Sequence, residues 1–227
     1  MRTIRQGTDT VTLAPMPPET RGLPAQPKWW DDVRAIRLTV VSADQATRGF
    51  SENRFAVVLG GSLADLPSAN VGPLSRGTIR LDSAIGLFGL DVRLARGFLA
   101  SADNREALAL ALDREALIQP FNLAGWTAST RVVTPDLPDD PGLVTERWPD
   151  LDIGERRAIA ARRVAGWKAA NGGKLTLLLA LPRGRGSDQL FAGLAAQFQE
   201  IGIDLRRASS GRGADLVLRD RVARYAG

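Results

Sequence analysis

The stretch Asp103-Asn-Arg-Glu-Ala-Leu-Ala-Leu-Ala-Leu-Asp-Arg-Glu-Ala-Leu-Ile118 carries the strongest helical signal in the chain. Its Ala/Leu run is built from the best helix formers. Ala107, Leu110, Ala111 and Ile118 recur at helical spacing and give it one apolar face. Asp103 and Glu106 have the spacing of a capping box, in which each side chain reaches the other residue's amide. Asp113 interrupts the run and suits the N-cap of a second short helix, with Glu115 in that helix's first turn. Nothing in the stretch is chemically reactive. It predicts a scaffold, which leaves binding to the strand before it and the loop after it.

The 227 residues suffice for one large domain or two small ones, each with a core. Hydrophobic content of 44% and charged content of 24% are ordinary for a globular protein. No apolar run approaches the ~20 residues a spanning helix needs. Met1 to Thr10 shows neither an apolar core nor a small-residue cleavage site, so no secretory signal is read there. That predicts a cytoplasmic protein if the chain is complete, and otherwise a mature or internal piece of a longer one.

The chain has no cysteine and no histidine. Disulfides, thiolate or imidazole zinc sites, and Ser-His-Asp or Cys-His catalysis are therefore excluded. Carboxylates, lysine, hydroxyls and Tyr225 remain, and no metal, cofactor or enzymatic activity is expected. Net charge is +5, and all but three of the 30 basic residues are arginines. They are spread along the whole chain among 25 acids, with no stripe of the kind nucleic acid requires. A nucleic-acid partner is not expected; an Arg-rich regulatory or nucleic-acid-associated domain is the alternative reading.

Met1 to Lys28 holds five prolines and reads as extended or irregular. Trp29 and Trp30 are placed on an extended segment, one toward the core and one at an edge. Arg34 to Val41 predicts a strand with Ile36, Leu38 and Val40 on one face, and Asp44 to Glu52 a short helix. Phe55 to Leu59 predicts a buried strand ending in the Gly60-Gly61 turn, followed by a short helix that Pro67 breaks. Ile85 to Val92 is a strand whose glycines imply a bend or close backbone approach. The loop from Phe121 to Asp136 sets Trp126 beside Thr127 and Arg131, which reads either as a binding surface or as a plug at a core edge. Pro135 to Pro149 is loop. Asp152 to Ala170 is a helix with Ala160, Val164 and Trp167 on its apolar face and arginines on a solvated flank. Lys174 to Arg207 is a strand-helix-strand unit, and Ala214 to Leu218 a further strand. Its turn holds Gly184 and Gly186 but has Gln189 where a dinucleotide loop has its third glycine, so Ser187 as helix cap explains it better.

Asn104 to Ile118 resembles a helical segment of the solute-binding proteins of peptide-type ABC importers, the extracellular solute-binding family 5. Trp29 to Val41 and Arg54 to Leu59 resemble two of the family's strands, the second without its usual Asp, and Asp91 stands where Asn is usual. Asp152 to Ala169, Gln197-Phe-Gln-Glu-Ile-Gly-Ile-Asp-Leu205 and Ala214-Asp-Leu216 resemble later family segments, in the right order. The resemblance implies an α/β fold: a periplasmic-binding-protein-like (type II) lobe with a mixed sheet flanked by helices, one of two lobes that close on a ligand like a clamp. It divides the chain into residues 1–84, an irregular segment plus part of the first lobe, and 85–227, a second-lobe domain lacking its C-terminal part. It implies a periplasmic, monomeric substrate-binding component that takes a peptide or similar small solute in the cleft and serves an ABC permease and ATPase. By composition and placement rather than by motif, Phe88, Trp126, Thr127 and Arg131 are the candidate ligand-binding residues.

Overall fold

A computed structural model describes residues 1–69, 86–123, 126–132 and 145–222 of the chain. It divides into two compact units, Met1–Gly60 and Gly61–Gly227. The boundary expected between residues 84 and 85 lies outside the described residues, as does most of the loop expected before Pro149.

In the first unit, β1 (Arg2–Gln6) and β2 (Thr10–Ala14) form an antiparallel hairpin, and β3 (Ile36–Thr39) adds to the other side of β2. Of the extended or irregular start that the sequence predicts, Arg2–Gln6 and Thr10–Ala14 are extended and paired, which was not expected. All five prolines fall at or after Pro15, so they end β2 and leave its Thr-Val-Thr-Leu alternation free to pair. Trp29 and Trp30 lie on the helical turn α1 (Trp29–Asp32), not on an extended segment. Trp29 is buried at 8% exposure while Trp30 remains 56% exposed, their rings edge-on at 4.5 Å. α2 (Ala43–Ser51) starts at a capping box between Ser42 and Gln45. Phe55 to Leu59 forms no strand, and Val57 and Leu59 are exposed at 67% and 79%. Its composition suits a strand, but a strand exists only through a ladder partner, and none of the described residues pairs with it.

The second unit opens with α3 (Leu66–Ala69), which Pro67 enters in its first turn rather than breaking. There follow β4 (Gly86–Val92), α4 (Ala102–Ala111), α5 (Arg114–Ile118), α6 (Ile153–Ala170), β5 (Thr176–Ala180), α7 (Arg185–Glu200), β6 (Asp204–Arg207) and β7 (Leu216–Val222). The sheet order is β4-β7-β5-β6, with β5 parallel to β6 and β7, and β4 antiparallel to β7. The expected α/β fold with a mixed sheet is what the chain adopts. Phe98, Leu99 and Leu110 pack with Val164, Leu179, Phe198, Ile203 and Leu216 in its core.

Two caps differ from expectation. α4 begins at Ser101, without a side-chain cap, and Glu106 turns instead to Arg147 and Arg163, at 2.7 and 2.8 Å. α7 begins at Gly184 rather than Ser187, which is fully buried in the first turn. The cap at Asp113 is as expected, its carboxylate accepting from the Ala116 amide at 3.0 Å. The arginines of α6 are not only a solvated flank: Arg157 donates to the Ala111 carbonyl and pairs with Glu200, which ties α6 to both α4 and α7.

Candidate functional site

β4 is an edge strand, half-buried along most of its length, and it sets Phe88 opposite Asp220 of β7. Its first glycine permits close approach, because a Cβ on Gly86 would stand 2.7 Å from the Arg221 carbonyl oxygen. Asp91 pairs with Arg219 across the same ladder, which fixes the strand's register by charge as well as by backbone bonds.

The Phe88 ring lies 5.2 Å from that of Trp126, and Phe121, at the end of the helical pair, lies 6.1 Å from Trp126. Phe88 lies more than thirty residues before the other two and meets them because α4 and α5 turn the chain back to β4. Trp126 packs against the core with part of its surface and keeps the rest open. Trp126 thus reaches the core edge as the plug reading expects, with part of its surface exposed. Thr127 beside it is exposed.

Beyond Trp126 the chain is clasped by Glu146. Its carboxylate accepts from the Ser129 hydroxyl, from the Thr130 hydroxyl and, at 2.6 Å, from the Thr130 amide. The Thr130 hydroxyl in turn accepts from the Arg147 amide at 2.7 Å. Burial works to raise the Glu146 pKa, but these hydrogen bonds and the charge of Arg131 outweigh it and hold the carboxyl below its usual value. Arg131 is half-buried, its amide donating to the Ser129 hydroxyl. Sequence reading missed Glu146, Ser129, Thr130 and Phe121. The hydroxyls beside Arg131 were the available signal, but their acceptor sits 16 or 17 residues further on.

The structure thus brings Phe88 of β4 to Trp126, and sets the charge of Arg131 near Glu146. The glycine turn before α7 is not part of this surface. The Gly186 amide donates to the Ala64 carbonyl at 3.0 Å, and a Cβ on Gly184 would stand 2.5 Å from the same oxygen. A protein carbonyl occupies the place a phosphate would need. Among the described residues no group of His, Cys, Asp or Glu could hold a metal ion, and no helix is long and apolar enough to cross a membrane.

Solved structures of peptide-binding proteins share the fold. An OppA of Haemophilus influenzae, solved in complex with RPPGFSPFR, superposes with a TM-score of 0.70 at 13% identity, over 99% of this chain and 45% of its own. The murein tripeptide binding protein MppA of Escherichia coli gives 0.70 at 13% identity, over 98% and 44%. The pheromone receptor PrgZ gives 0.60 at 16% identity, over 97% and 45%. This chain therefore spans under half the length of these relatives. No curated protein sequence matches it. The fold is that of the type II periplasmic-binding-protein class, and the family model for the middle part of the bacterial extracellular solute-binding proteins, family 5, matches residues 19–212. With the match covering most of its length, the chain belongs to the bacterial extracellular solute-binding proteins, family 5.

Proposed function

We propose that this chain is part of the substrate-binding component of an ABC importer, holding a peptide or similar small solute in a cleft between two lobes. The observation that carries this reading is the family match over residues 19–212. The partners would be an ABC permease and its ATPase, and the place of action the periplasm or cell exterior. The binding is not followed by turnover. In the second unit the solute would meet the aromatic surface of Phe88 and Trp126, with Thr127 and Arg131 as polar contacts. Apolar surface with a few placed polar groups is the general pattern of a small-molecule site.

The test uses the protein expressed from its complete native reading frame and a peptide library screened by thermal shift. At least one peptide should raise the unfolding midpoint. Trp126→Ala should then weaken that peptide about tenfold or more, as loss of an aromatic anchor does, while Trp126→Phe retains most of the affinity. If no peptide or other small solute stabilises the protein, the transport reading fails. If Trp126→Ala folds and binds unchanged, the reading survives and this site is wrong.

A further inference from the structure

The face of the sheet that carries Phe88 is apolar along β4 and β7 with one exception. Antiparallel partners point to the same side. Leu90 with Leu218, and Val92 with Leu216, pack there against the core, and Val222 beyond them is exposed. Asp220 falls between Leu218 and Val222 in the alternation, is exposed, and stands directly opposite Phe88. A half-buried strand ordinarily sends its charges to its other face. The Asp220 carboxylate makes no hydrogen bond or ion pair with any of the described residues.

Its charge is not cancelled by its neighbours. Arg219 and Arg221 project from the opposite face, where Arg219 pairs with Asp91 and Arg221 stands opposite Leu87. No other charged residue of β4 or β7 shares the face of Asp220. On the loop that brings Trp126, the charge of Arg131 lies near Glu146, so that pair adds no net charge to the surface. Across the ladder from the carboxylate is Phe88, whose ring lies 5.2 Å from that of Trp126 and is tilted to it by 34°. An aromatic surface that ends in a lone carboxylate is complementary to a group with an apolar stem and a cationic head.

We infer that Asp220 is a specificity residue of the Phe88 and Trp126 surface, and that this surface takes a basic side chain, lysine or arginine. The stem lies along the rings, and the head meets the Asp220 carboxylate in a charge-assisted hydrogen bond. A bare α-ammonium has no such stem and leaves the rings uncovered. The inference rests on the proposed solute-binding role of this surface and names the chemistry of its ligand.

The protein from its complete reading frame is titrated calorimetrically with end-blocked peptides, acetyl-Ala-Ala-X-Ala-amide, in which X is Lys, Arg, norleucine or Glu. The Lys and Arg peptides should bind about tenfold more tightly than the norleucine peptide, which has the stem alone. The Glu peptide should bind more weakly still. Asp220→Asn should lower the preference for Lys over norleucine at least about threefold and leave the norleucine affinity unchanged. Asp220→Glu, which restores the carboxylate, should keep the preference. Equal affinity for the Lys and norleucine peptides, or an undiminished preference in Asp220→Asn, overturns the inference and leaves the solute reading standing. Binding of free-ended library peptides but of none of these four overturns it too, because recognition then needs a free terminus. If no peptide or other small solute stabilises the protein, both fall together.

Discussion

Glu106 shows how a residue placed for one local task is used for another. Its spacing from Asp103 suits a capping box, yet its carboxylate reaches outward to Arg163 of α6 and to Arg147, so it binds three segments instead of one helix end. The hydrogen bond from Arg163 is the main reason its pKa is lowered. Burial opposes the shift, and the charges of Arg163 and Arg147 and a hydrogen bond from Trp148 add to it. A carboxyl with a depressed folded-state pKa stabilises the fold fully above its unfolded value, and that contribution is lost as pH falls through the folded value. Glu106→Gln is therefore expected to cost about 1–2 kcal/mol near neutral pH. The difference from wild type should shrink as pH falls through the folded value, because the side chain at position 106 is then uncharged in both proteins. Urea unfolding at a series of pH values measures this, and a difference that stays constant into acid would contradict it. Sequence spacing found Glu106 but not its partners, which lie 41 and 57 residues away.

The break between α4 and α5 is where elements, rather than residues, are joined. Asp113 leaves its backbone N–H outside both helices, while its C=O accepts the first bond of α5 from the Leu117 amide at 3.2 Å. The side chain of Gln197, buried on α7, accepts from the Asp113 amide at 2.8 Å and donates to its carbonyl at 3.1 Å. Gln197→Leu fits the volume but leaves the Asp113 N–H unpaired, while the Asp113 carbonyl keeps the Leu117 amide. A cost of about 1–3 kcal/mol is expected for the one unsatisfied group. Chemical denaturation measures it, and a loss below that of an ordinary surface substitution would show that water replaces the amide. Elements with their own period were legible: α4, α6 and α7 follow from apolar spacing, and β5 from its leucine run. What depended on a distant partner was not. Phe55 to Leu59 has strand composition and no strand beside it, while β2 has one and was hidden by the prolines that follow it. The site divides the same way, with Trp126 legible as a lone aromatic among hydroxyls and its stacking on Phe88 invisible until the fold closed.

At the scale of the molecule the two units differ in how much they bury. Among the described residues of the first unit, Ala14, Pro18, Trp29 and Gly49 are buried, while both apolar positions of β3, Ile36 and Leu38, are exposed. A three-stranded sheet with so little covered apolar surface has small reserves against local opening. The second unit is built around a continuous cluster that runs from Leu63 to Leu216 and includes fully buried Leu179, Phe198 and Ile203. Local stability should therefore be graded along the chain. Native-state hydrogen exchange of the protein from its complete reading frame would show it directly. Amides of β5, β6 and the middle of α7 should open only with global unfolding, whereas those of β1 to β3 should exchange through much smaller openings, at least ~100-fold faster. The segment Val57 to Leu59 should show almost no protection, since its backbone makes no ladder among the described residues. Slow exchange in β3 or at Val57 to Leu59, comparable with β5, would mean that another part of the polypeptide covers and pairs them.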